Sequence, residues 1–211
     1  MKPTLSFPEQ RDEMVRIGAI AYARGLLTAN DGNLSIRLPN GNVLITPAGL
    51  CKGRLTPADL LIVSPEGALL EAAPNPGRQP TSEQPMHLEA LRLRPEMHAV
   101  LHAHPPYAVA LTVAGYPIRD DLLPEVRMAL GHVPTTEIAL PSSPENAAAI
   151  RRHLGQNNAL MLAQHGSLTL GKTLEEAFIH LERLEHAAKV QYLAQTLGRV
   201  LPLPAEFLAR L

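Results

Sequence analysis

Asn40-Gly41 stands between two strand-like runs: Leu34, Ile36 and Leu38 alternate with polar residues before it, and Asn42 to Thr46 follow it. Asn-Gly suits the two-residue type I′ turn, whose central residues both need positive φ. The two runs are therefore expected to form a hairpin, which is antiparallel by construction. A second pair, Leu60 to Ser64 and Ala68 to Glu71, flanks the turn Pro65-Glu66-Gly67. A doubly wound parallel sheet needs a crossover helix between neighbouring strands, and these connections are too short to hold one. The pattern predicts a mixed or antiparallel sheet covered by helices.

Helical signals supply the cover. Met14, Ile17, Ala21 and Arg24 follow a three-and-four spacing that predicts a helix over 9–27. Ser82 is a candidate cap for a helix over 83–94, and residues 105–114 read as helical. Ser143 opens a helix over 144–154, which Gly155 closes. Thr173 with Glu176 forms a capping box for a last long helix that ends near Gly198. Further strands are expected over 98–104, 133–140 and 159–163. The Pro- and Gly-rich stretch 72–80 reads as an exposed loop rather than a linker, because the flanking elements are too short to close separate cores. A single domain over 1–211 is expected.

Composition narrows the function classes. The net charge is −1 with no long basic run, which argues against nucleic-acid binding. Aromatic residues make up 3% of the chain and Trp is absent, so base-stacking platforms are disfavoured. One cysteine, Cys51, excludes an intramolecular disulfide framework and a Cys-rich zinc module. No run of about 18 apolar residues suggests a membrane helix, and the first residues lack the apolar run of a signal peptide. A cytoplasmic protein with no membrane partner is expected.

His102-Ala103-His104-Pro105 carries the most chemical information. Residues i and i+2 of a strand point to one face, so both imidazoles can meet one ion. The prolines end the strand, and the pair sits at its tip. An ordinary pair of strand histidines is the alternative. Gln164-His165-Gly166 follows the apolar run 159–163 and offers a third imidazole, or a turn histidine. Thr81-Ser82-Glu83, at a helix start, offers a carboxylate, or a first-turn acid favoured by the helix dipole. Three imidazoles and one carboxylate match a divalent transition metal, with zinc the default.

Five segments occur in one order: Gly32-Asn33-Leu34-Ser35-Ile36-Arg37, Thr46-Pro47-Ala48-Gly49, Thr81-Ser82-Glu83, His102-Ala103-His104-Pro105 and Gln164-His165-Gly166. Together they resemble the class II aldolase/adducin-head family, most closely its L-fuculose-phosphate aldolase members, over about 9–198. The resemblance implies a three-layer α/β/α domain with a largely antiparallel sheet. It implies zinc, or another divalent transition metal, on His102, His104 and His165, with Glu83 as fourth ligand or catalytic acid/base. It implies a phosphate pocket from Asn33, Gly49, Thr81 and Ser82, and a homotetramer with active sites near subunit interfaces. The implied activity is cleavage of a ketose 1-phosphate into dihydroxyacetone phosphate and an aldehyde through an enediolate that the metal stabilises. Pentulose-phosphate 4-epimerisation, methylthioribulose-1-phosphate dehydration and sugar-acid decarboxylation are the related alternatives. Ala48 stands where the family often has Ser. Leu122 to Arg127 lacks the Tyr that fuculose-phosphate aldolases lend to a neighbouring subunit, and Glu125 is a candidate for that place.

A competing pattern is Gly166-Ser167-Leu168-Thr169-Leu170-Gly171-Lys172-Thr173, which matches a phosphate-binding P-loop. Its alternative is a short strand and turn entering the last helix. A binding module without catalysis is a further alternative. His87, four residues after Glu83 on the same helix face, is expected either to touch the site or to lie on the helix surface, Glu182 and His186 as a solvated i,i+4 pair, and Tyr107 in helix packing or as a proton donor.

Overall fold

The computed structural model describes residues 5–211. Its centre is one seven-stranded sheet: β1 (Asn33–Arg37), β2 (Val43–Ile45), β3 (Leu61–Val63), β4 (Leu69–Glu71), β5 (Ala99–Ala103), β6 (Ala159–Leu162) and β7 (Gly166–Gly171). The order across the sheet is β4-β3-β2-β1-β5-β7-β6, and every neighbouring pair is antiparallel. Both expected hairpins form, with Ser35 opposite Ile45 in the first. The type I′ turn expected at Asn40-Gly41 does not: Gly41 has φ 86° but Asn40 has no positive φ, and Gly41 N–H donates to Leu38 C=O and Leu38 N–H to Asn42 C=O, so Pro39, Asn40 and Gly41 make a three-residue loop.

Strand parity sorts the side chains into two cores. Leu34, Ile36, Leu101 and Ala103 face α1 (Pro8–Ala23) and α6 (Leu174–Thr196), joining Met14, Ile17, Phe178 and Leu181. Val43, Ile45, Val100, Leu168 and Leu170 face the other way. There they pack on Met86, Ala90 and Leu91 of α2 (Gln84–Leu93) and Ile150 of α5 (Pro144–His153). The result is the expected three layers, helices on either side of an antiparallel sheet. A third cluster joins α3 (Pro106–Val113) and α4 (Pro124–Ala129) to the later turns of α6. A short α7 (Ala205–Leu208) ends the described chain. Among the described residues no helix is long and apolar enough to cross a membrane.

Several local expectations change. Residues 133–140 do not form a strand: they contribute one isolated bridge, Thr135 to Met161, beside β6. Pro134 has no N–H to extend that ladder, and Pro141 ends the segment. The helix α4 was not anticipated. Ser82 does not cap α2. Glu83 holds the cap position, and its N–H is taken by the Thr81 hydroxyl at 3.3 Å. Thr173 caps α6 as expected, accepting from the Glu176 N–H, while the Glu176 carboxylate accepts from Lys172 N–H rather than from the cap itself.

The P-loop reading fails on topology. Residues 166–171 are strand β7, paired to β5 on one side and β6 on the other. Their backbone N–H groups serve these ladders, so they form no phosphate cradle.

Candidate metal and substrate site

The site lies where β1, β5 and β7 end together. Asn33 is opposite His102, and Ala103 is opposite Ser167. His102 lies within β5 and His104 just past its end, both on the α2 side by parity with Val100. His165 comes from the three-residue turn between β6 and β7. Gln164 there takes a left-handed φ of 54°, and His165 N–H donates to Leu162 C=O at 3.0 Å. That turn returns His165 to the His102–His104 pair.

The three rings have centroids 4.9, 4.9 and 5.0 Å apart. One nitrogen from each lies within 4.8 Å of the others, and the Nε2 atoms of His102 and His104 are 3.0 Å apart. Zinc–nitrogen bonds of roughly 2.0–2.1 Å in tetrahedral geometry separate ligand nitrogens by about 3.3 Å, so the cluster fits a shared ion. His102 Nδ1–H donates to Ser167 C=O at 2.9 Å, which leaves the Nε2 lone pair directed at the cluster. Burial, then the mutual repulsion of positive charge with His104 and His165, pushes His102 well below the usual imidazole range. Burial lowers His104 and His165 as well. All three are neutral at pH 7, the form a metal requires.

Close packing depends on two glycines. A Cβ on Gly166 would lie 2.5 Å from Ala103 O and under 3 Å from both the His104 and His102 rings. A Cβ on Gly32 would lie 2.9 Å from His102 O, and φ there is +74°.

Beside the imidazoles opens a pocket of about 210 Å³. Asn33, Gly49, Thr81, Ser82, Glu83, His102, His104 and His165 all line it, so every site residue expected from sequence meets in one place. Backbone bonds bring the separate loops together. Ala48 N–H donates to Gln79 C=O at 2.9 Å, and Thr81 N–H to Thr46 C=O at 3.1 Å.

Glu83 is buried at the pocket wall, but its carboxylate is not part of the three-nitrogen cluster. One oxygen accepts from Ser142 N–H at 2.7 Å and Ser142 Oγ–H at 2.9 Å, and the other from Asn146 Nδ2–H at 2.8 Å. Ser142 adopts φ 60° to present both donors. Neither Ser142 nor Asn146 was singled out from sequence. Their only signal was proximity to the start of α5.

Of the two places open to His87, the structure gives the one beside the site: it is fully buried on the inner face of α2 and bonds Asn33. One more residue was missed. Lys52, just after the Gly49 loop, lines the pocket. Tyr107 and Glu125 are elsewhere. They line a larger groove of about 780 Å³ with Lys189 and His186, and Tyr107 packs on Tyr192 at 5.6 Å. Glu182 pairs with Arg24 rather than with His186.

Residues 12–192 match the model of the Class II Aldolase and Adducin N-terminal domain family. The chain belongs to that family. It is 34% identical over 187 residues to the 3-oxo-tetronate 4-phosphate decarboxylase of Escherichia coli strain K12, covering 87% of this chain and 86% of the relative. It is 35% identical over 193 residues to the methylthioribulose-1-phosphate dehydratase of Methylococcus capsulatus, covering 85% and 91%. The solved structure of an L-fuculose 1-phosphate aldolase superposes with a TM-score of 0.88 at 27% identity, covering 97% of this chain and 95% of that one.

Proposed function

We propose that this protein is a divalent-metal-dependent lyase acting on a small phosphorylated sugar acid, and that it decarboxylates a 3-oxo acid of the 3-oxo-tetronate 4-phosphate type. The observation that carries this reading is the single pocket that joins three neutral imidazoles to a set of neutral hydrogen-bond donors. His102, His104 and His165 would hold the ion, with Glu83 joining or leaving its shell. A metal bound there would supply Lewis-acid stabilisation of the negative charge that develops at the substrate carbonyl. Asn33, the Gly49 backbone, Thr81 and Ser82 would bind the phosphate.

In a 3-oxo acid the bond to the carboxylate carbon breaks, carbon dioxide leaves, and its electron pair moves towards the carbonyl. One proton must then reach the carbon that lost the carboxylate. Glu83, the buried carboxylate of the pocket, would handle that proton, within typical general acid/base duty. Identity to the decarboxylase over most of both chains supports this choice. So does the composition of 122–127, because bond breaking by loss of carbon dioxide needs no base at a hydroxyl and no Tyr stands there.

Aldol cleavage of a ketose 1-phosphate is the second reading, favoured by the close superposition on the fuculose-phosphate enzyme. Both reactions pass through the same enediolate and differ in which bond breaks. Zinc is proposed as the ion and a homotetramer as the assembly, with exposed Val113, Tyr116 and Met128 as apolar surface available for contacts. A cytoplasmic location is part of the same proposal.

The test presents zinc-loaded protein separately with 3-oxo-tetronate 4-phosphate and with a panel of ketose 1-phosphates. Carbon dioxide release from the first without aldehyde from the second is expected. Aldehyde from a ketose 1-phosphate with no carbon dioxide from the oxo acid would replace decarboxylation by aldol cleavage.

A further inference from the structure

Lys52 is 2% exposed and, among the described residues, is the one Lys or Arg lining the pocket of the three imidazoles. Two of its donors are spent on backbone oxygens: Nζ–H donates to Asn30 C=O at 2.6 Å and to Leu50 C=O at 2.8 Å. An ammonium has three donors, so one remains. The described carboxylate that acts on it most is Asp31, which is half exposed and lies 3.8 Å from His104 instead.

The position is built rather than incidental. Lys52 starts a 3₁₀ turn, Lys52–Arg54, that docks against α1. Gly18 of α1 lets the backbone approach: a Cβ there would lie 2.7 Å from Lys52 O. Gly53 likewise sits where any Cβ would meet the Tyr22 ring at 2.5 Å. The helix thus clamps the turn and fixes the direction of the buried side chain. A buried cation held only by carbonyl dipoles is costly unless an anion completes its shell. Burial does lower its pKa, to about 8, so it is still mostly charged at pH 7.

We propose that Lys52 is a substrate-binding residue that directs its free donor to the phosphate dianion and gives the pocket its preference for phosphorylated over neutral sugars. This rests on the phosphate pocket of the proposed function. Asn33, Gly49, Thr81 and Ser82 supply only neutral donors, and the charged neighbours Glu83 and Asp31 repel a dianion. Lys52 supplies the compensating positive charge. A charge-assisted hydrogen bond of this kind is roughly twice as strong as a neutral one.

The experiment titrates zinc-loaded protein with inorganic phosphate by calorimetry. It compares wild type, Lys52→Met, Lys52→Gln and Thr81→Ala, with zinc content and circular dichroism recorded for each. The expected result is phosphate affinity reduced about tenfold or more in both Lys52 variants, with zinc content unchanged. Affinity that falls in Thr81→Ala but not in the Lys52 variants overturns the role of Lys52 and leaves the phosphate pocket standing. No phosphate binding by wild type overturns both.

Should neither Lys52 variant fold, the wild-type pH profile decides. The titratable groups around Lys52 are Asp31 before β1, Cys51 beside it, Tyr22 of α1, and Glu83 and His104 across the pocket. With phosphate's own ionisation corrected, affinity should drop about tenfold from pH 7 to pH 9 as the ammonium loses its proton. A flat profile over that range overturns the proposal.

Discussion

His87 Nε2–H on α2 donates to the side-chain oxygen of Asn33 on β1 at 2.5 Å. The other ring nitrogen, Nδ1, accepts from the Ser35 hydroxyl at 2.7 Å. Burial holds the ring neutral, with a pKa lowered to about 3, so it carries one ring proton, and the Asn33 oxygen beside Nε2 assigns that proton there. With its oxygen on His87, Asn33 turns its NH2 towards the pocket it lines. A histidine with no access to substrate thereby sets which end of an amide the substrate meets.

His87→Leu should act through that amide. Freed of its partner, Asn33 can rotate, and its donor is lost to the phosphate. A hydrogen bond to a charged group contributes about 1.5–3 kcal/mol, so KM should rise roughly 10- to 100-fold. Zinc content should be unchanged and kcat should move much less, as expected for binding shared by ground and transition states. Steady-state kinetics on the phosphorylated substrate read this directly. A lowered kcat at unchanged KM would contradict it.

The same residue predicts an acid sensitivity. The folded pKa of about 3 lies below the unfolded value of 6.5. As pH falls below 6.5 the unfolded chain takes up a proton that the native ring refuses, so stability is lost in the window from 6.5 towards 3. The slope is about 1.4 kcal/mol per pH unit for one proton. Urea unfolding at steps between pH 6.5 and 5, above the carboxylate range, should show a shallower loss in His87→Leu than in wild type. Equal slopes would remove His87 as the source.

Metal content tests the imidazole cluster. Purified protein should hold about one divalent ion per chain, and His102→Ala/His104→Ala should hold far less while remaining folded. Gly166→Ala leaves all three ligands in place but drives a methyl group into Ala103 O and both imidazole rings. It should weaken metal binding and destabilise the fold by about 1–3 kcal/mol. Elemental analysis and thermal unfolding measure both. A Gly166→Ala protein with wild-type zinc and stability would show that the close approach is dispensable.

Glu83→Gln should separate chemistry from metal binding. The carboxylate accepts from Ser142 on one oxygen and Asn146 on the other. An amide places its NH2 against one of those donor groups and cannot take a proton at neutral pH. Turnover should fall about 10²–10⁴-fold with zinc retained on three histidines. Proton exchange into the product fragment in deuterated water should fall with it. Normal exchange in zinc-loaded Glu83→Gln would assign the proton to another group.

Local physics was legible in the residues alone. The hairpins followed from turn residues between alternating runs, although the Asn40-Gly41 turn is a three-residue loop and not type I′, and α6 followed from Thr173 and its apolar stripe, because each depends on neighbours within a few residues. The order of the sheet did not. Residues 133–140 read as a strand, yet a strand exists only where a partner accepts its ladder, and Pro134 stops that ladder at one bridge beside β6. The P-loop pattern failed for the same reason, since β5 and β6 claim the backbone that a phosphate would need.

The chain by itself determined the chemical kit: His102 and His104 at a strand tip, His165 in a turn, Glu83 at a helix start, and donors at Asn33, Gly49, Thr81 and Ser82. Spacing put pairs of these on common faces. Only the tertiary structure decided that antiparallel pairing of β1, β5 and β7 would stack their ends at one edge and bring the kit around one pocket. It alone decided the supporting residues. Spacing from Glu83 put His87 on the right helix face, but Lys52, Ser142 and Asn146 act through burial and through hydrogen bonds to other segments, and no local pattern marks a polar side chain whose partner comes from another element.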